Sequence, residues 1–251
     1  MLLCCQRLQT LRQERTSFYK LKYFKYHVIL KACIISKFAY IYITLTTAKT
    51  NSEQFPHSLE IIMLHEIEQI PDAAAACYEK TQDVRLPTAV PYLGMGSSYF
   101  APLALKFQGV DIQPEPASEY FHYLSGDKKK PLGVLISQSG KSSEVLWCRD
   151  LFEQTIAIVN DEQSPLALHE RNQKAILLHA GEEKCTSSKT YINTLIALYN
   201  GHSIDAKPAI NIVQQSMPKY AEWGKEAAEI IFERITQKRL NGIYVLGSGP
   251  N

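Results

Sequence analysis

From position 63 onward the chain alternates short, mainly apolar runs with longer stretches in which apolar residues recur every three or four positions. The apolar runs cover 89–93, 110–112, 132–136, 155–159 and 175–178, and their starts lie roughly 20 residues apart, the room a returning crossover helix needs. Between them the spacing predicts helices over 99–107, over 119–124 behind a Ser118 cap, over 143–152, and over 187–199, with a short turn opened by Ser164-Pro165. A helix over 63–78 precedes the first run: Leu64, Ile67, Ile70 and Ala74 share one face, although Pro71 interrupts it. Two further helices, 209–215 and 220–238, lead to a last strand over 243–246.

Strands that are mainly apolar, without alternation, are buried on both faces, so the expectation is a parallel sheet between two helical layers. The predicted fold is a three-layer α/β/α sandwich with a five-stranded, flavodoxin-like parallel sheet. Ligands of such folds sit beyond the carboxyl ends of the strands, so the loops that follow the strands are where chemistry belongs. The pentapeptide at 245–249 (Val-Leu-Gly-Ser-Gly) echoes the one at 92–96 (Tyr-Leu-Gly-Met-Gly) at an offset of 153 residues, which suggests a second, duplicated unit opening at the end of the chain.

Composition divides the chain at the same point. Residues 1–62 carry nine Lys or Arg against three Glu, a charge of +6, while the rest carries 18 basic against 22 acidic residues, or −4. All 12 glycines lie after Met63. The apolar stretch 27–46 is interrupted by Lys31 and Lys37, which argues against a membrane span. No short apolar core followed by a small-residue cleavage site marks a secretory signal. The reading adopted is a foreign or disordered leader over 1–62, with Met63 as the true start. Six cysteines without a CxxC pair or zinc-like spacing read as ordinary cytosolic thiols, and Cys185 as a small filler. Neither a metal nor a cofactor is called for.

Three loops carry the candidate chemistry. Gly94-Met95-Gly96-Ser97-Ser98-Tyr99 joins the first strand to its helix, where free amides and serine hydroxyls suit an anion. Tyr99 stands where a dinucleotide fingerprint needs its third glycine. Ser137-Gln138-Ser139-Gly140-Lys141-Ser142 follows the third strand with three hydroxyls, an amide and a glycine, enough to surround a phosphate without a metal. Its Gly-Lys-Ser ending resembles a nucleotide-binding P-loop, but the first glycine of that motif falls on Leu135, inside the strand. The third loop, 179–190, packs Glu182, Glu183, Lys184, Thr186, Ser187, Ser188 and Lys189 ahead of a helix. Simple helix capping explains any one of these loops; three at one sheet edge favour a shared pocket.

Taken together, the run from Gly96 to Tyr99, the Ser-Gln-Ser-Gly of 137–140, and Ala180-Gly181-Glu182-Glu183-Lys184 through Ser188-Lys189-Thr190 resemble the sugar isomerase (SIS) family. The opening at 63–69 is similar to the way those modules begin. The resemblance implies a phosphosugar-binding domain over 63–238 and the start of a second SIS domain over 239–251. It implies that Ser137, Gln138, Ser139 and Ser142 hold the phosphate, that Ser97 and Ser98 touch sugar and phosphate, and that Gly96, Glu182, Glu183 and Thr186 join them at the rim. The parent activity it implies is aldose-ketose isomerisation or deamination of an aminosugar phosphate. The family's base, ring-opening histidine and lysine belong to the second SIS half, so this chain is expected to bind without catalysing. SIS domains pair, so a homodimer in the cytoplasm is expected. SIS domains also act as sugar-phosphate sensors in transcription regulators; only the leader's charge speaks for that alternative, and no helix-turn-helix pattern accompanies it.

Overall fold

The structure is a computed structural model, and it describes residues 57–184 and 186–237. The expectations for the leader up to position 56, for Cys185, for the strand at 243–246 and for the repeat at 245–249 lie outside the described residues.

Five parallel strands form one sheet: β1 (Pro91–Gly94), β2 (Gln113–Pro116), β3 (Lys130–Ile136), β4 (Phe152–Val159) and β5 (Asn172–Leu177), in the order β2-β1-β3-β4-β5. This is the flavodoxin-like order, with its topological switch between β1 and β3. The alternation of side chains along the central strands creates the layers. Val134 and Ile136 of β3, with Ile156 and Ile158 of β4, enter a core shared with Ile70, Leu105, Ile192, Leu195 and Ile196. Leu135, Ala157 and Val159 point the other way, toward Ala117, Tyr120, Val145, Cys148 and Leu166. Each fully buried aliphatic side chain contributes about 1.5–3 kcal/mol, and both faces gain.

The first layer is built from α1 (His57–Glu68), α2 (Ile70–Lys80), α3 (Ser97–Phe107), α6 (Lys189–Gly201) and α7 (Lys207–Thr236). The opposite layer is thin. It holds α4 (Ala117–Glu119), which continues as a π-helical turn over Tyr120–Leu124, and α5 (Ser143–Trp147), which tightens into a 3-10 turn over Cys148–Leu151. The connection from β4 to β5 has only turns, opened as expected around Ser164.

Several boundaries differ from the sequence reading. The single helix expected over 63–78 is two helices, because Pro71 occupies the first turn of α2, where its missing N–H costs nothing; α1 runs through Met63. Strand β2 starts at Gln113, after the apolar run 110–112, and contains Pro114 and Pro116, which an edge strand tolerates. Ser118 lies inside α4 and does not cap it; the residue before the helix is Pro116. The helix expected over 143–152 ends earlier, since Phe152 already begins β4 under the ring of Tyr120, 5.9 Å away and stacked. Finally, the helices expected over 209–215 and 220–238 are one helix as far as Thr236: α7 passes through Pro218, whose neighbours Met217 and Tyr220 pack on the core.

Candidate functional site

The first two serine loops leave adjacent strands on either side of the switch point. After β1 the chain turns at Met95 and Gly96, and Gly96, at φ 51°, precedes α3. Ser98 donates its backbone N–H to Met95 O at 3.0 Å, and Tyr99 and Phe100 donate theirs to Gly96 O. Gly94 makes this turn possible: a Cβ there would stand 2.5 Å from the Ser98 carbonyl oxygen. Ser97 and Ser98 therefore open α3 half-exposed, and neither hydroxyl has a hydrogen-bond partner among the described residues.

The loop after β3 is held from both sides. Ser137 N donates to Ile158 O and Asn160 N to Gln138 O, each close to 3.0 Å, which extends the β3–β4 pairing into the loop. Gly140, at φ 62°, lies so close to Ser164 that a Cβ would come within 2.1 Å of its Oγ, and Leu166 N donates to Gly140 O. Ser137 is buried and its Oγ lies 3.0 Å from Ser142 Oγ. Ser142 precedes α5 without capping it by its side chain; its hydroxyl turns back into the loop. Ser139 is exposed, and its Oγ accepts the N–H of Lys141 at 3.2 Å. Lys141 points outward to Asp161, 3.9 Å away at an exposed pair that contributes little.

Glu183 organises the third loop. Its Oε1 accepts from Ser188 N and Ser188 Oγ at 2.8 Å and from Lys189 N at 2.7 Å; its Oε2 accepts from Gln138 Nε2 at 3.0 Å and from Thr190 Oγ1. The carboxylate thus caps α6 and ties it to the loop after β3. Glu182 and Thr186 are exposed, and the Glu182 carboxylate faces Lys184 Nζ at 3.4 Å. Of the residues expected at the site, Ser137 and Ser142 form one hydrogen-bonded pair and Gln138 and Glu183 another, Ser139 is exposed and bonded to Lys141 N, Ser97, Ser98 and Gly96 stand across the switch point, and Glu182 and Thr186 are exposed.

The sequence reading passed over three supports. Asn160, at the carboxyl end of β4, accepts Ala180 N at 2.9 Å and donates to Gly181 O at 2.7 Å, pinning the third loop; its position just past a strand was the available signal. From the helical pair α1–α2, buried Glu66 accepts Lys184 N at 2.5 Å, and Gln69 accepts from Lys189 Nζ at 2.6 Å. Lys189, 2% exposed, also donates to Glu182 O at 2.8 Å. Nothing in the pattern links these helices to a loop more than a hundred residues away. Nearby, desolvation first and the charge of Lys80 second hold His179 below its ordinary pKa, partly opposed by Glu162. Among the described residues no cluster of His, Cys, Asp or Glu has the makings of a metal site.

The five-stranded parallel sheet and its flavodoxin-like order agree with the fold that the resemblance to the SIS family implies. No family model matches the chain. Over 123 residues it is 33% identical to the glutamine–fructose-6-phosphate aminotransferase (isomerizing) of Treponema pallidum, a match spanning 44% of this chain and 19% of that protein. Among solved structures it is similar to the C-terminal domain of glucosamine-fructose-6-phosphate aminotransferase from Francisella tularensis, at 22% identity and a TM-score of 0.49, over 75% of this chain and 57% of that one. It is also similar to glucosamine-6-phosphate deaminase from Thermotoga maritima, at 20% identity and a TM-score of 0.46, over 60% of this chain and 53% of that one. The chain thus matches under a fifth of its curated relative and little more than half of these solved chains. Among the described residues no helix is long and apolar enough to cross a membrane.

Proposed function

We propose that residues 63–238 form a phosphosugar-binding domain whose parent activity is aldose-ketose isomerisation or deamination of an aminosugar phosphate. The observation that carries this reading is the pair of hydroxyl-bearing loops, 94–99 and 137–142, on the two strands that flank the switch point. In this reading Ser137, Gln138, Ser139 and Ser142 surround the phosphate and Ser97 and Ser98 face it from the other side. Hydroxyls and loop amides bind a phosphate as neutral donors and need no metal. The matched aminotransferase, by its name, works on fructose 6-phosphate, which is a hexose phosphate of the proposed class.

The domain by itself binds and does not turn over. Isomerisation needs a base at the carbon next to the carbonyl, and the carboxylate nearest the loops, Glu183, already accepts five donors, while Glu182 sits in solvent beside Lys184. The setting we propose is cytoplasmic, in keeping with Cys77 and Cys148, which are buried free thiols. A homodimer would use the outer face of the thin layer, where Phe121, Tyr123, Leu124 and Trp147 are exposed and the Phe121 and Trp147 rings lie 5.6 Å apart.

The test is thermal unfolding of the chain with glucosamine 6-phosphate or fructose 6-phosphate. A ligand at 100 times its Kd adds about 2.7 kcal/mol, or roughly 5–10 °C in Tm for a chain of this size. Replacing both Ser137 and Ser142 by Ala removes the shift. A folded chain that shows no shift with any hexose phosphate refutes the proposal.

A further inference from the structure

The two oxygens of Glu183 have separate tasks. Capping α6 needs one acceptor, and Oε1 supplies it to Ser188 N, Ser188 Oγ and Lys189 N. Oε2 is turned across the gap between loops and takes the Gln138 amide nitrogen at 3.0 Å, together with the hydroxyl of buried Thr190. A carboxylate only accepts, so it fixes which end of the Gln138 amide faces it: Nε2 inward, Oε1 outward. Hydrogen bonds to an ionised group are the stronger kind, and this one holds the amide against flipping. Among the described residues Gln138 Oε1 has no partner, although the side chain is half-buried in the loop after β3.

Resting on the phosphosugar reading above, we infer that Glu183 is a positioning residue that presents Gln138 to the ligand as an acceptor. An outward Oε1 pairs with a donor. A phosphate dianion offers none, whereas a sugar hydroxyl or amino group does. The side chain of Gln138 therefore reads the sugar, and the phosphate is left to the hydroxyls of Ser137, Ser139 and Ser142 and to loop amides. In this arrangement Gln138 takes its expected part in the phosphate loop through its backbone amide. The same carboxylate places a negative charge on the amino end of α6, which disfavours a second anion there and leaves the switch-point loops as the seat of the phosphate.

The experiment compares Kd for glucosamine 6-phosphate with Kd for inorganic phosphate in the full chain, in Glu183→Gln, in Gln138→Ala and in the double variant. Each single substitution should weaken glucosamine 6-phosphate about tenfold, the size expected for a lost charged hydrogen bond, and leave inorganic phosphate within about twofold. The double variant should match the weaker single within about twofold, because the two residues act as one. Equal losses for both ligands, no loss for the sugar phosphate, or additive losses overturn the inference. If Glu183→Gln does not fold, Thr190→Val takes its place: Thr190 is buried at 1% exposure and has no access to the ligand, so a several-fold loss for the sugar phosphate alone supports the inference, and loss for both ligands or for neither overturns it. Absence of any binding by the unaltered chain overturns the site itself, a result distinct from binding without coupling.

Discussion

Gly140 shows how far a single position constrains the site. At φ 62° only glycine is at ease, and the space for a Cβ is already filled by the Ser164 side chain. Gly140→Ala should destabilise the fold by roughly 2–4 kcal/mol, read from the urea midpoint, and should loosen the loop that carries Ser137 and Ser142. His202 makes a pH prediction. It ends α6 half-buried, with Nε2 3.0 Å from the Tyr92 hydroxyl, which in turn donates to Pro87 O. Desolvation lowers its pKa below the ordinary 6.5. The unfolded chain then takes up the proton first, so His202 contributes stability that is present above pH 6.5 and lost as pH falls through the folded value. His169 and His179 are lowered as well and act with the same sign. Between pH 7.5 and 5.5 Tm should fall, and His202→Gln should flatten part of that slope.

At the scale of elements, the third loop is positioned less by its own strand than by helices on either side of the sequence. Lys189 opens α6 and is buried with its ammonium on Gln69 Oε1 and Glu182 O. Replacing it by Met keeps the packing volume and strands both acceptors, so Lys189→Met should cost about 1–3 kcal/mol in chemical denaturation, and amide exchange over 181–184 should accelerate. The helix boundaries follow the same logic. Pro71 divides one expected helix and Pro218 does not divide another, because Pro71 sits at a helix start, where its ring is welcome, whereas tertiary contacts of Met217 and Tyr220 carry α7 through. Sequence position alone cannot separate these two prolines.

For the whole molecule, the asymmetry of the sandwich is the feature with consequences. Among the described residues one face of the sheet is covered by long helices and the other by two short ones, and the outer surface of that thin layer carries Phe121, Tyr123, Leu124 and Trp147 exposed. Cys77 and Cys148, one under each layer, are pushed up to about 12 by burial, so neither should react with a thiol reagent at pH 8 until the fold opens; two thiols titrating in step with loss of helix signal would report unfolding of both layers together. The proposed dimer is measured by light scattering: replacing Tyr123 and Trp147 by Ser should shift the mass from two chains to one while leaving the Tm shift by sugar phosphate in place.

The sequence by itself determined the class of fold and the loops worth examining. Apolar runs of strand length, spaced for crossovers, admit little besides a parallel sheet between helices, and the serines that follow Leu93 and Ile136 mark the ends of central strands wherever the neighbours lie. It placed β2 three residues early, because Pro114 and Pro116 look like breakers until the strand is known to be an edge. Only the tertiary structure decided which strands adjoin, and so that the loops at 94–99 and 137–142 leave neighbouring strands on either side of the switch point. It also decided what Glu183 does. A glutamate in a polar loop reads equally as a rim group, a base or a cap, and the choice depends on Gln138, 45 residues earlier, and on Thr190 across the start of a helix. Periodicity is a property of neighbours along the chain, whereas the meaning of an acceptor is set by the donors that folding brings to it.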